Sequence, residues 1–389
     1  MRIAFLLLAA PVLAACRSTP PRGPGRALLL AQAQFTEQSG QPVPGPARLE
    51  IVRPAGDAWT TEVLEDPDSN AFHKAMPWEG GFLTIGATKA MLKTWRRDGA
   101  RWEGETRWNP TFGGKFDRLR DVEAGDLLGD GKHALVIATH DQGVIAIVHP
   151  DDGWRVEEID RQPDTFVHEI ELGDVDGDGT LEIFATPSRP NKLESEQPGE
   201  VRMYRHGPSG WTRSVVDAPG DTHAKEILAT DVDHDGRSEL FVVWEGAIGA
   251  GGAMTKPVTI TMYRWRDGAP VPTVVATVPD RQMRAIDAGD VNGDGKTDLV
   301  AGALESGLWL FEQDGDGWKK TRLDAASSGF EHPVHLADLD GDGTPEIYVG
   351  AEDQAELRRY VWKGGRFERT TIAPLPKGDL TWNITDAVL

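Results

Sequence analysis

Four stretches of the chain set oxygen-bearing side chains at alternate positions: DVDGDGTLE from Asp174, DVDHDGRSE from Asp231, DVNGDGKTD from Asp290 and DLDGDGTPE from Asp338. Side chains at positions 1, 3 and 5 can curl around one point when glycine at position 6 permits a sharp turn. Position 7 adds a backbone carbonyl and position 9 a last carboxylate. A calcium ion takes about six to eight hard oxygens at flexible geometry, so the pattern is that of a calcium loop. The expected ligand sets are Asp174, Asp176, Asp178, Thr180 and Glu182; Asp231, Asp233, Asp235, Arg237 and Glu239; Asp290, Asn292, Asp294, Lys296 and Asp298; and Asp338, Asp340, Asp342, Thr344 and Glu346. Thr180, Arg237, Lys296 and Thr344 contribute as carbonyls. The alternative is a metal-free turn held by Asx hydrogen bonds. Against it, three or four carboxylates this close repel unless a cation sits among them.

The flanks of these loops decide between two calcium architectures. An EF-hand needs a helix on each side and a glutamate at position 12. Here the loops run into LEIFAT, SELFVVW, TDLVAGAL and PEIYVGA, which are strand-like. The pattern resembles instead the FG-GAP or VCBS repeat, as in the propeller of integrin α-chains. That resemblance implies an all-β, seven-bladed propeller of four-stranded blades. A fifth copy from Asp126 to Ala134 keeps the turn but has Leu128 and Ala134 at positions 3 and 9. A blade without calcium is expected there.

Two independent counts give the number of blades. Inner-strand segments start at His73, Arg120, His168, Lys225, Arg284, His332 and Leu380. Outer hairpins lead to Trp59, Trp102, Trp154, Trp211, Val271, Trp318 and Phe367. Both columns have seven members, and residues 26–389 allow about 52 per repeat, which suits four-stranded blades. The first hairpin (49–64) precedes the first inner strand, and the last inner strand (380–388) has no hairpin after it. The C-terminal strand is therefore expected to complete the N-terminal blade, closing the ring and removing its edges. The aromatics after the hairpins are expected to pack between blades.

The aligned inner-strand starts are basic in six of seven cases: His73, Arg120, His168, Lys225, Arg284 and His332. A basic ring at one mouth of the channel is expected, on the face opposite the calcium loops. Two inserts, 186–199 and 245–256, fall on the same face, the second glycine-rich enough to act as a lid. His223, His335, Phe166 and Trp382 lie close to the ring column. Aromatic faces beside charges are the equipment of a sugar site, with the charges serving hydroxyls or a uronate. The plainer alternative is that the ring only pairs with Glu169, Glu226, Glu331 and Asp121.

Two function classes follow. One is a non-catalytic module presenting this mouth to a carbohydrate or protein ligand. No Gly-x-Ser-x-Gly elbow, phosphate loop or His-Glu-x-x-His is present. The other is a carbohydrate lyase or dehydratase. The inner strand before the calcium loop is similar to the propeller domain of aldos-2-ulose dehydratase, which implies β-elimination. In that reading His168 and His332 are bases, Lys225 and Arg284 hold the developing anion with Arg120, and His73, His168 and His332 could bind a transition metal.

The N-terminus reads as a processing segment. MRIAFLLLAAPVLAAC has one charge and an apolar core too short to span a bilayer. Leu13-Ala14-Ala15-Cys16 resembles a lipobox, which implies a signal peptide over 1–15, acylation of Cys16 and a tether over 16–25 before the propeller at 26–389. An ordinary secretory signal is the alternative. Cys16 is the only cysteine, which excludes intrachain disulfides and thiol catalysis elsewhere. Arg17 after it implies an outer-membrane lipoprotein, periplasmic or surface-facing, touching the membrane through its anchor only. The net charge of −21 argues against a nucleic-acid partner. A monomer is expected.

Overall fold

The computed structural model describes residues 25–389 apart from 88, 90, 114–116, 141, 191–197 and 250–252. The leader over 1–15, the lipidation site Cys16 and all of the tether but Gly25 lie outside the described residues. Seven four-stranded antiparallel sheets follow one another around a ring. The inner strands of blades 2 to 7 are Phe72–Trp78, Leu119–Gly125, Phe166–Gly173, Ala224–Thr230, Met283–Gly289 and Val334–Ala337. Blade 1 is composite: its strands Ala58–Asp66, Gln41–Ala55 and Arg26–Gln38 come from the N-terminal part, and Leu380–Val388 supplies the innermost. Leu28 pairs with Asp386 and Leu30 with Ile384 across that seam. The fold is thus the all-β, seven-bladed propeller that the repeat count predicts, closed as expected.

The core consists of wedges between neighbouring blades. Seven apolar clusters each join two adjacent blades, the one between blades 7 and 1 included. The second strand of each of blades 2 to 7 is buried along its whole length. Both of its faces meet another blade, which is why these strands read as near-continuous apolar runs. The hairpin aromatics Trp59, Trp102, Trp154, Trp211, Trp318 and Phe367 all pack against these clusters. Val271, their counterpart in blade 5, is exposed instead.

One inner strand departs from the predicted alignment. In blade 7 it begins at Val334, two residues after His332. Pro333 has no N–H to give to a ladder, and His332 sits at a φ of +45°. Residues 245–256 form a small hairpin, Ala247–Ile248 against Met254–Lys256, around 250–252, which lie outside the described residues. Most of the other insert, 191–197, does so too.

Candidate functional sites: four acidic loops and a charged channel

The four loops join inner to second strands, as expected, and share one internal scaffold. Gly179, Gly236, Gly295 and Gly343 at position 6 have φ of +85°, +88°, +85° and +95°, which only glycine adopts freely. The first aspartate accepts the backbone N–H of that glycine in every loop: Asp174 at 2.9 Å, Asp231 at 2.8 Å, Asp290 at 2.8 Å and Asp338 at 3.0 Å. The fifth-position aspartates take the N–H of Thr180, Arg237, Lys296 and Thr344. Asp126 in blade 3 makes the same turn, accepting from Gly131 at 2.8 Å, while Leu128 points outward. Three acidic oxygens gather within 4.8 Å of one another in Asp174/Asp176/Glu182, in Asp231/Asp233/Glu239 and in Asp338/Asp340/Asp342.

Position 9 separates the third loop from the others. Glu182, Glu239 and Glu346 are buried and each accepts a backbone N–H, from Val175, Val232 and Leu339. Burial pushes all three carboxyls up, against those bonds and a neighbouring arginine. Asp298 is fully buried and neither of its carboxylate oxygens has a hydrogen-bond partner. The Val291 N–H approaches it without hydrogen-bond geometry. Burial first, then the charge of Asp294, pushes Asp298 up to about 7. Among the described residues, no triad of acidic ligands forms in this loop, where Asn292 stands at position 3.

On the opposite side of the inner strands, the predicted basic column has a structural basis that the sequence did not reveal. His73, Arg120, Lys225 and Arg284 each fall where the register between inner and second strand slips by one residue, and His168 lies in the same kind of slip. These are β-bulges, which unpair a residue and re-aim its side chain. The column is therefore real, but it is not an open basic mouth. His73, His168 and His332 are 5%, 1% and 1% exposed, and Arg120, Lys225 and the Arg284 side chain are 8% exposed. Arg120 pairs with Glu169 at 3.1 Å, and Arg284 with Glu331 at 2.9 Å and Glu245 at 3.5 Å.

Below this layer the channel holds a cavity of about 400 Å³. Eight carboxyl groups line it, against Lys74, Arg120 and Arg284 and the two histidines His73 and His335. The lumen is lined mainly by carboxyl groups, so the basic ring does not continue into the channel. Glu169, Glu171 and Glu226 are held well above the usual carboxyl range, by burial first and then by one another and by Asp121 and Glu123. Lys74 offsets part of this charge, at 3.0 Å from Asp121 and in contact with Glu123. Lower still, His335 bridges Asp287 at 3.2 Å and Asp386 at 3.1 Å. Burial alone would depress His335, but the bonds and charges of the two aspartates outweigh it and push it up to about 9. It is a structural clamp between the inner strands of blades 6, 7 and 1.

The ring histidines are tied into the frame. His332 Nδ1 donates to the Ala303 carbonyl at 2.7 Å and Nε2 accepts from Ser327 Oγ at 2.7 Å. Burial drives it down to about 4, so it is neutral and committed at both nitrogens. His73 Nδ1 donates to Leu119 O at 2.7 Å and its ring meets Trp382 edge-on at 4.9 Å. His168 lies between Lys225 Nζ and Ser188 Oγ, each at 2.9 Å. His140, which the sequence reading missed, stacks on Phe166 at 3.9 Å and packs edge-on to His168 at 5.2 Å. Its position just after a second strand, on the insert-bearing face, was the available signal. His223 lies 5.4 Å from His168 and 3.4 Å from Glu245. The metal-type clusters among the described residues contain no histidine. Burial, followed by Arg284 and Arg120, brings the Lys225 amine down to about 7.

Comparison with known proteins bears on the fold and on one repeat. Residues 290–349 match the FG-GAP-like repeat model. That segment contains the third and fourth acidic loops and most of blade 6. No curated protein matches the chain in sequence. Among solved structures it is similar to a candidate 6-phosphogluconolactonase of Bacteroides fragilis, at 14% identity and a TM-score of 0.58 over 93% of this chain and 98% of that one. A protein from Lactobacillus plantarum is similar at 11% identity, TM-score 0.58, over 94% and 99%. At such identities these likenesses show the fold alone.

Proposed function

We propose that this chain is a calcium-stabilised propeller, anchored as a lipoprotein in the bacterial outer membrane, that binds a carbohydrate or protein ligand at the mouth of its channel. The carrying observation is the aromatic and cationic furniture at that mouth. Phe330 is 43% exposed with the Arg284 guanidinium 4.0 Å from its ring centre, and Arg120 lies 5.2 Å from the Trp382 ring. The Trp382 indole N–H is buried beside the cavity without an acceptor, so a hydroxyl entering there gains a hydrogen bond. The acidic lumen favours a neutral or amine-bearing sugar over a uronate. The commitment of His332 and the ion pairing of Arg120 and Arg284 favour binding over chemistry.

The loops fit a divalent cation by their donor set: acidic oxygens gather in three of them and the buried Asp298 stands unpaired in the other. When bound, calcium supplies the charge that lets these carboxylates lie together. The chain itself does the rest: Asp174, Asp231, Asp290 and Asp338 hold the turn by their backbone bonds, and Glu182, Glu239 and Glu346 tie three of the loops to their second strands.

One observation supports a second reading, β-elimination on a sugar. Lys225, with an amine near neutrality 2.9 Å from His168, has the equipment of a general base, with Arg120 and Arg284 placed to hold an enolate. The test uses soluble residues 17–389. Binding to a glycan array that Trp382→Ala removes, with no unsaturated product by ultraviolet absorbance, supports the binding module. Absorbance that rises with a sugar substrate and is lost in Lys225→Met and His168→Ala replaces it with the enzyme.

A further inference from the structure

The four acidic loops are not equivalent, because three of them carry an internal cation. In blade 4, Arg205 Nε donates to Glu182 Oε1 at 2.8 Å and its terminal nitrogen lies 2.8 Å from Asp176. In blade 5, Arg264 makes the same bridge, to Glu239 at 3.0 Å and Asp233 at 3.1 Å. In blade 7, Arg359 contacts Glu346 and Asp340. Each guanidinium joins positions 3 and 9 of its loop, two of the proposed metal ligands.

Strand register explains where these arginines come from, and why blade 6 has none. The residue after position 9 pairs with Tyr204, Tyr263, Phe311 and Tyr360 on the third strand. Arg205 and Arg264 directly follow that aromatic, and Arg359 directly precedes it, so all three share its opposite face. The residue following Phe311 is Glu312. Blade 6 thus puts a carboxylate where blades 4 and 5 put a guanidinium. Glu312 is itself held at 2.6 Å by Lys319, an exposed side chain on the outer strand. Among the described residues, no guanidinium reaches Asp298, whose two oxygens are buried and unpartnered.

We propose that the third loop, centred on Asp298, is the high-affinity divalent-cation site, and that Arg205, Arg264 and Arg359 act as built-in counter-ions that weaken the other three. This rests on the calcium reading of the loops and adds a ranking to it. A buried carboxylate without a partner is costly, and a cation is the group that satisfies it. In the other loops a guanidinium already bonds the position 9 carboxylate and lies against the position 3 carboxylate. An entering cation there must displace a charge-assisted hydrogen bond and tolerate a like charge beside it. The arginine-clamped loops hold their shape without metal, whereas blade 6 needs the ion.

The experiment is calcium titration of soluble residues 17–389 by calorimetry, with terbium luminescence sensitised by tryptophan as a second readout. One site is expected to fill at a calcium concentration at least tenfold below the rest. Asp298→Asn is expected to remove that site alone, and Glu312→Arg to weaken it at least tenfold. Arg205→Gln is expected to tighten one of the weak sites by a similar factor. Four sites of equal affinity, or a tight site that survives both Asp298→Asn and Glu312→Arg, overturn the ranking but leave the calcium reading standing. Absence of any calcium or terbium binding overturns both. If Asp298→Asn does not fold, Glu312→Arg decides, because its side chain reaches the loop edge rather than the core.

Discussion

His335 offers the sharpest quantitative test of how the ring is held shut. It sits on the inner strand of blade 7 and bonds Asp287 in blade 6 and Asp386 in the C-terminal strand. Arg26 is the other charge acting on Asp386. In the folded protein His335 is raised from 6.5 to about 9. Below pH 6.5 the ring is protonated in both folded and unfolded chains, and the clamp's stabilisation is fully present. As pH rises the unfolded chain loses its proton first, and the stabilisation is gone once pH passes the folded value. At about 1.4 kcal/mol per pH unit the window from 6.5 to 9 is worth about 3 kcal/mol. For a folded unit of this size that is about 4 °C in melting temperature. The assay is urea unfolding followed by tryptophan fluorescence, for the native chain and His335→Gln, at steps from pH 6 to 9.5. The native chain is expected to lead at pH 6 by about 3 kcal/mol more than at pH 9.5. A lead that stays constant, or grows with pH, refutes the assignment of a charged His335.

Four further outcomes are expected. Excess chelator should lower the melting temperature, since a site saturated at about 100 times its Kd contributes about 2.7 kcal/mol to the folded state; an unchanged melt removes the calcium reading. Deleting residues 380–389 strips the inner strand from blade 1 and exposes the edge of Arg26–Gln38; the truncated chain should associate or unfold by size-exclusion chromatography, and a monomer of native stability contradicts the closure argument. Gly302→Ala drives a Cβ to 2.2 Å from the His332 carbonyl and should destabilise by roughly 1–3 kcal/mol in the same urea assay. Lys225 has a folded value near 7, below its unfolded value, so stability gained from its deprotonation rises with pH above 7; Lys225→Met should therefore raise the melt at pH 6 more than at pH 10, and the reverse order would show that the amine is not depressed.

Much of this molecule follows from short-range pattern alone. Alternating oxygen donors with glycine at position 6 determined the loops, because a turn of that kind is a local matter of backbone sterics and nearby N–H groups. Regular spacing of inner starts and hairpin aromatics determined seven blades. The offset between the two columns determined the closure of blade 1 by Leu380–Val388, since an unpaired first hairpin and an unpaired last strand have only each other. What a side chain does after the turn was decided elsewhere. The basic column and its candidate carboxylate partners are visible in sequence, but the bulges that aim His73, Arg120 and Arg284, and the closing of the Arg120–Glu169 and Arg284–Glu331 pairs between neighbouring blades, are not. The same holds at the loops: Glu182 and Asp298 look interchangeable in sequence, yet one meets Arg205 and the other meets Glu312. Charge pairing depends on which side chain of the adjoining strand lies within a few ångströms, and only the register of the folded sheet sets that distance.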